Sequence, residues 1–217
     1  LVVIGGDGSF TGAKCLSDEQ GINVVGIPGT IDNDLAYTDY TLGFDTAVNT
    51  VLWAINALRD TMTSHDRVSL VKVMGRRCGD IALYAGICGG AEYILVPEVP
   101  YDIQKIANEI KKNREHGKTA NVIVLAEGAG NENEIKTIVS VISGTDVKVT
   151  TLGHIQRGGS PSMADRMLAA KFGVHAVNLL MEGKTNRVIG CHGQKTIDLD
   201  ITEALSMKKD IDHDLYD

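Results

Sequence analysis

Short apolar runs alternate with stretches of helical spacing along the whole chain. The first run is Leu1-Val2-Val3-Ile4; the second spans 23–27 and stops at Pro28-Gly29. Both read as buried strands. Between 45 and 59, Ala47, Val48, Val51, Leu52, Ile55 and Leu58 share one face of a helix that opens near Asp45. The alternation predicts a strand at 68–73, a turn at Gly75 and Gly79, a small-residue helix at 81–87 and a strand at 93–96. It goes on with an amphipathic helix at 103–115 capped by Asp102 and strands at 122–126 and 147–152. Ser160-Pro161-Ser162 opens a long helix at 163–181, followed by a strand at 188–191 and a last helix at 201–207. Strand–helix alternation of this kind predicts an α/β fold: mostly parallel sheets with helices on both faces. No Pro- or Ser-rich linker separates domains, so two lobes would be joined by direct crossovers.

The chemistry sits where strands end. Gly5-Gly6-Asp7-Gly8-Ser9 follows the first strand and Pro28-Gly29-Thr30-Ile31-Asp32-Asn33-Asp34 the second. Glycines let backbone approach an anion closely, and a helix start offers unpaired N–H groups to phosphate. Asp7 supplies an oxygen where Mg²⁺ on such phosphates needs one. Asp32 and Asp34 are delivered to the same edge, where open α/β sheets bind ligands. Read blandly, these are two ordinary Gly/Asp turns. A second constellation is basic: Met74-Gly75-Arg76-Arg77 at one strand end and Leu152-Gly153-His154-Ile155-Gln156-Arg157-Gly158-Gly159 at another, with Arg67 and Lys148 near strand beginnings. Arginine forks grip phosphate in a bidentate way and His adds a donor; alone, each is an ordinary surface charge. Glu127, closing another strand, either accepts sugar hydroxyls or serves as a cap or solvent-facing group. A nucleotide turn, an arginine-lined anion pocket and a candidate base, Asp32, are the parts of phosphoryl transfer.

Composition narrows the partners. The 217 residues carry a net charge of −7, which argues against nucleic acid or an anionic membrane and requires a local basic cluster for any anionic substrate. Cys15, Cys78, Cys88 and Cys191 have no metal or disulfide spacing, so a reducing cytoplasm is expected. No apolar run is long enough to span a bilayer, and no signal peptide precedes the first strand. His65, His116, His175, His192 and His213 carry no pattern of their own and read as surface or packing residues. The chain has no initiator Met and opens on strand residues, as a fragment starting within a fold would.

These residues resemble the bacterial, ATP-dependent 6-phosphofructokinase family. The likeness rests on GGDGS at 5–9, PGTIDND at 28–34, MGRRCGD at 74–80 and LGHIQRGGSP at 152–161, in family order. It implies two Rossmann-like three-layer α/β/α lobes. An ATP lobe would comprise 1–43 and 156–206, and a fructose 6-phosphate lobe 44–155 and 207–217. The family's first strands and first glycine-rich loop have no counterpart here. The resemblance therefore implies an open sheet edge and a poorly stable or inactive chain when alone. It implies a glycolytic kinase in which Asp32 is the base, Thr30 hydrogen-bonds the reacting groups, and Arg76 stabilises the transferring phosphoryl group. Gly6, Gly8 and Ser9 would contact ATP, and Asp7 would bind Mg²⁺ with the help of Asp34, also counted among the catalytic residues. Ile31, Met74, Gly75, Glu127, His154, Ile155, Gln156 and Arg157 would join Thr30, Asp32 and Arg76 around fructose 6-phosphate. Arg67 and Lys148 would reach it from a neighbouring subunit of a homotetramer. Arg59, Gly90, Ala91, Glu92, His116 and Lys118 map onto the family's effector site for ADP or phosphoenolpyruvate. Pyrophosphate-using relatives tend to carry Asp in place of Gly8 and Lys in place of Gly29, so both glycines favour ATP. The alternatives are a pyrophosphate-dependent enzyme and a non-catalytic sugar-phosphate-binding paralogue. Two departures stand out. Lys148 replaces an Arg, which weakens the grip on phosphate. His116 stands at a basic effector position, so anion binding there is expected to be pH-sensitive near neutrality.

Overall fold

A computed structural model describes residues 1–62, 67–118 and 120–216; His65 lies outside the described residues. Two compact units divide the chain, 1–46 with 160–210 and 47–159 with 211–217. The divisions fall a few residues beyond those expected from sequence, so 156–159 belong with the second unit.

In the first unit the elements are β1 (Val2–Gly5), α1 (Asp7–Gln20), β2 (Val25–Pro28), the start of α2 (Phe44–Met62), α6 (Met163–Met181), β7 (Arg187–His192), β8 (Lys195–Asp200) and α7 (Ile201–Ser206). The sheet order is β1-β2-β7-β8, parallel except for β8. One face buries Phe10, Ala13, Val24, Val188, Ile201 and Ala204 under α1 and α7. The other buries Val25, Ile27, Phe172, Ala176, Leu179 and Ile189 under α6. Neighbouring strand residues thus point to opposite helix layers, which is why β2 is apolar throughout. β1 is an edge strand, with Val2 and Ile4 exposed.

The second unit holds the rest of α2, β3 (Val68–Val73), α3 (Asp80–Cys88), β4 (Tyr93–Leu95), α4 (Ile103–Glu115), β5 (Asn121–Ala126), α5 (Glu132–Ser143), β6 (Val147–Thr151), a 3₁₀ turn (Gly153–Arg157) and α8 (His213–Tyr216). Its sheet runs β4-β5-β3-β6, all parallel. Leu70, Ile123 and Leu125 pack with Ala107, Ile110, Ile135 and Val139 of α4 and α5. The alternate positions Val71, Val73, Val122 and Val124 are buried too, so both sheet faces are covered.

The structure adds elements that the sequence reading did not draw. α5 begins at Asn131, whose side chain accepts the Asn133 and Glu134 N–H groups, and ends at Gly144 in the left-handed region. β8 pairs antiparallel with β7 through a tight hairpin at Gly193 and Gln194. The GGDGS segment is also less of a loop than expected: Asp7, Gly8 and Ser9 already form the first turn of α1. A strand that hands its chain straight to the covering helix needs only the two glycines as a turn.

Candidate active site

In the first unit the ends of β1 and β2 lie side by side. Gly5 pairs with Pro28, and the Gly29 N–H donates to the Gly5 carbonyl at 2.9 Å. The GGDGS and PGTIDND segments therefore share one sheet edge. Side chains cap α4, α5, α6 and α7 at Asp102, Asn131, Ser162 and Asp200, whereas α1 starts at Gly6 with no side-chain cap. Its first-turn N–H groups are thus available to an anion. Gly8 has an ordinary φ, and a Cβ built there meets nothing within 4 Å, so packing within the chain does not require glycine at this position. Asp7, Gly8 and Ser9 are all exposed.

The second segment forms a closed loop. The Leu42 N–H donates to the Pro28 carbonyl at 2.9 Å, and the Thr41 hydroxyl to the Thr30 carbonyl at 2.6 Å. Inside it, the Asp32 N–H donates to Thr30 Oγ1 at 3.3 Å, and Thr30 Oγ1 lies 3.4 Å from Asp34 Oδ1. Thr30, Ile31 and Asp32 are half-buried, and Asp34 is exposed. Among the described residues no cluster of three or more metal-ligating side chains exists. An exposed carboxylate beside an uncapped helix start fits Mg²⁺ that travels with phosphates, because that ion keeps waters and needs few protein ligands.

In the second unit, three strand ends converge. The Glu127 N–H donates to the Val73 carbonyl at 2.9 Å, and the Leu152 N–H to the Lys72 carbonyl at 3.1 Å. Met74–Arg76, Glu127–Gly128 and the 3₁₀ turn carrying His154 and Arg157 thus occupy one edge. Gly75 has φ +120°, and a Cβ on Gly128 would run into the Arg76 carbonyl oxygen, so both positions demand glycine. Arg76, Glu127, His154, Ile155 and Arg157 are exposed, while Met74 and Gln156 are buried.

Arg67 and Lys148 lie at the opposite, N-terminal ends of β3 and β6. Both face Asp146: Arg67 Nε is 3.6 Å and Lys148 Nζ 3.0 Å from its carboxylate. A hydrogen bond from Lys148 holds the Asp146 carboxyl below its usual range. Two of the contacts made by the predicted effector residues are to one another, Arg59–Gly90 and Glu92–Lys118. Arg59 donates to the Gly90 carbonyl, and Glu92 accepts from the Val122 N–H at 2.6 Å and pairs with Lys118 at 3.1 Å. His116 Nδ1 lies 2.7 Å from the Lys112 carbonyl at the end of α4.

A cavity of about 440 Å³ in the first unit, lined by Tyr40, Asp45, Met163, Met167, Lys171 and Gln194 among others, contains none of the predicted residues. One of about 360 Å³ in the second unit touches Ala91 and Glu92. Sequence reasoning also missed two supports. Glu98 Oε1 accepts the Gly79 N–H at 2.7 Å and fixes the end of the MGRRCGD segment. Asp165 accepts the Gly43 and Thr46 N–H groups at 2.8 and 2.9 Å and fixes the start of α2. A lone Glu after a proline carried no local signal, but Ser162-x-x-Asp165 did have the form of a capping box.

A family model described as phosphofructokinase matches residues 1–180. The whole chain aligns at 59% identity with the ATP-dependent 6-phosphofructokinase of Clostridium tetani and at 57% with that of Clostridium botulinum, covering 68% of each relative's length. The phosphofructokinase of Pichia pastoris in its T-state superposes with a TM-score of 0.87 at 33% identity, over 94% of this chain and 26% of that one. A pyrophosphate-dependent phosphofructokinase from Marinobacter aquaeolei gives a TM-score of 0.82 at 24% identity, over 97% of this chain and 61% of that one, a likeness of fold alone.

Proposed function

The chain belongs to the phosphofructokinase family, and on that premise we propose that it transfers the γ-phosphate of ATP to the 1-hydroxyl of fructose 6-phosphate. The products are fructose 1,6-bisphosphate and ADP, a step of glycolysis carried out in the cytoplasm. The observation that carries this reading is the uncapped start of α1, with open space over Gly8, beside the carboxylate loop of Thr30, Asp32 and Asp34.

Gly6, Gly8 and Ser9 receive the nucleotide phosphates on the helix start. Asp7 would hold Mg²⁺, which supplies charge neutralisation on the phosphates when bound. Asp32 accepts the proton of the 1-hydroxyl as that oxygen attacks the γ-phosphorus. Thr30 and Asp34 orient the loop around it. Arg76 stabilises charge on the transferring group. Met74, Gly75, Glu127, His154, Ile155 and Arg157, with Thr30 and Ile31, bind the sugar phosphate. Gln156, being buried, serves that site by holding the Met74 backbone.

Arg67, half-buried, and Lys148, exposed, lie at the strand ends opposite those that carry Arg76 and Glu127. That placement supports their use on a substrate bound to a neighbouring subunit, which this reading takes as part of a homotetramer. Arg59, Gly90, Ala91, Glu92, His116 and Lys118 are assigned to an effector anion, ADP or phosphoenolpyruvate.

ATP is favoured over pyrophosphate. An Asp in place of Gly8 would project into the open space beside the phosphates, and at Gly29 a Cβ would press on Ile4 Cγ2 at 2.9 Å. The test is phosphorylation of fructose 6-phosphate with each donor in turn. Turnover with Mg-ATP and none with pyrophosphate is expected; the reverse would assign the chain to the pyrophosphate-dependent branch.

A further inference from the structure

Between Asp32 and Asp34 stands a residue of opposite character. Asn33 is 1% exposed and has φ +53°, one of two non-glycine residues with positive φ among those described. The left-handed region is unfavourable for most side chains, and Asn is among the few that tolerate it. A buried polar side chain on such a backbone has to be held by specific partners.

Its carboxamide bridges the interior of the loop. Nδ2 donates to the Asp39 carbonyl at 3.0 Å, and Oδ1 accepts the Thr41 N–H at 3.0 Å. The Thr41 hydroxyl lies 3.3 Å from the same Oδ1 and donates to the Thr30 carbonyl. The far side of the loop is anchored to the sheet. The Asp39 N–H donates to the Cys191 carbonyl at 2.9 Å, and the Cys191 N–H donates to Thr38 Oγ1 at 2.9 Å. The Asp39 carboxylate accepts the Gly193 N–H at 2.6 Å and lies 2.9 Å from His192 Nδ1. Residues 38–41 are thus pinned to β7 and to its hairpin with β8. Asn33 passes that rigidity to the Asp32-Asn33-Asp34 segment through one side chain. The left-handed turn at Asn33 also sets the directions in which the two flanking carboxylates leave the backbone.

We propose that Asn33 is a positioning residue for the phosphoryl-transfer step: it aims Asp32 by tying its loop to the β7–β8 hairpin. This rests on the reading of Asp32 as the base. Asn33 touches no reacting group. Without its brace the loop can shift on the scale of an ångström, enough to cost on the order of 10²-fold in rate while ligands still bind.

The test is steady-state kinetics of Asn33→Gly, which keeps the backbone conformation and removes the side-chain hydrogen bonds to Asp39 and Thr41. It is run beside Asp32→Ser and the double variant. Expected are a fall in kcat of about 100-fold, KM values for fructose 6-phosphate and ATP within about threefold, and a double variant no slower than Asp32→Ser alone. A residue that only supports folding would instead lower Asp32→Ser by the same factor again, and that additive result would overturn the proposal. So would wild-type kcat in Asn33→Gly when Asp32→Ser is inactive. Full turnover in Asp32→Ser would overturn the assignment of the base itself, and the positioning role with it. Should Asn33→Gly unfold, Asn33→Asp takes its place: it keeps the size, the tolerance of positive φ and the acceptor for Thr41, but turns the donor facing the Asp39 carbonyl into an oxygen and places a negative charge between Asp32 and Asp34. A loss in kcat at least as large, with the same lack of additivity, is expected; unchanged kcat would again overturn the role.

Discussion

Gln156 Oε1 accepts the Met74 N–H at 3.2 Å, and its Nε2 donates to the Gly153 carbonyl at 2.9 Å. One buried carboxamide thereby joins two of the chain's most distinctive segments, MGRRCGD and LGHIQRGGSP. Replacing it with Leu leaves the Met74 N–H and the Gly153 carbonyl unpaired in a closed space. Gln156→Leu is expected to raise the KM for fructose 6-phosphate about tenfold, as expected for roughly one hydrogen bond. The KM for ATP should stay within about twofold, because the residues proposed to bind the nucleotide belong to the other unit. Initial-rate measurements with each substrate varied in turn decide this, and equal effects on both would contradict it.

Lys148 tests the charge geometry at the far edge of the second sheet. Its ammonium is 3.0 Å from Asp146, which Arg67 also faces. A guanidinium could keep Asp146 and still present a flat fork to a phosphate. Lys148→Arg is expected to lower the KM for fructose 6-phosphate about three- to tenfold. An unchanged or higher KM would show that the lysine is no handicap.

Asp165 gives a stability prediction. Its carboxylate takes the Gly43 N–H, the Thr46 N–H and the Thr46 hydroxyl at the start of α2, and it is 6% exposed. Asp165→Ala removes all three hydrogen bonds and should cost about 1–2 kcal/mol of stability. Urea unfolding measures this; a loss within a few tenths of a kilocalorie would mean that water replaces the carboxylate.

A pH dependence follows from Asp198. Burial raises its pKa, but hydrogen bonds from Arg187 and His175 outweigh burial and hold the carboxyl below its ordinary range. Arg187 Nε donates at 2.7 Å, and His175 Nε2 lies 3.1 Å away. A carboxyl that gives up its proton more readily when folded adds stability above its unfolded pKa, near 4. That contribution fades as the pH falls through the lower, folded value. The melting temperature should therefore drop more steeply below about pH 4 in the wild type than in Asp198→Asn. Parallel curves for the two proteins would rule Asp198 out as a source of the acid sensitivity.

Much of the architecture could be read in the chain because burial on both faces leaves a plain mark. β5 is an unbroken apolar run after Asn121, β3 is apolar except for Ser69 and Lys72, and α4 carries both an apolar stripe and the Asp102 cap. α5 is equally legible in Asn131, Ile135, Val139 and Gly144. β8 was harder, since Lys195-Thr196-Ile197-Asp198-Leu199-Asp200 is half-buried and polar at every second place. The site residues at strand ends announced themselves by glycine and charge. Their supports did not. Gln156 reads from sequence as a ligand contact, and only the structure adds its hold on the Met74 backbone. Glu98 lies nineteen residues from the Gly79 N–H it accepts, a separation that no local pattern encodes.

The most direct measurement is fructose 6-phosphate-dependent ADP release from Mg-ATP, in the wild-type protein and in Asp32→Ser, with sugar-phosphate binding followed in parallel. Expected are release by the wild type and a loss of several orders of magnitude in Asp32→Ser, with fructose 6-phosphate still bound. Undiminished ADP release by Asp32→Ser, or none from the wild type while sugar phosphate binds, would contradict the assignment of Asp32 as the base of an ATP-dependent kinase.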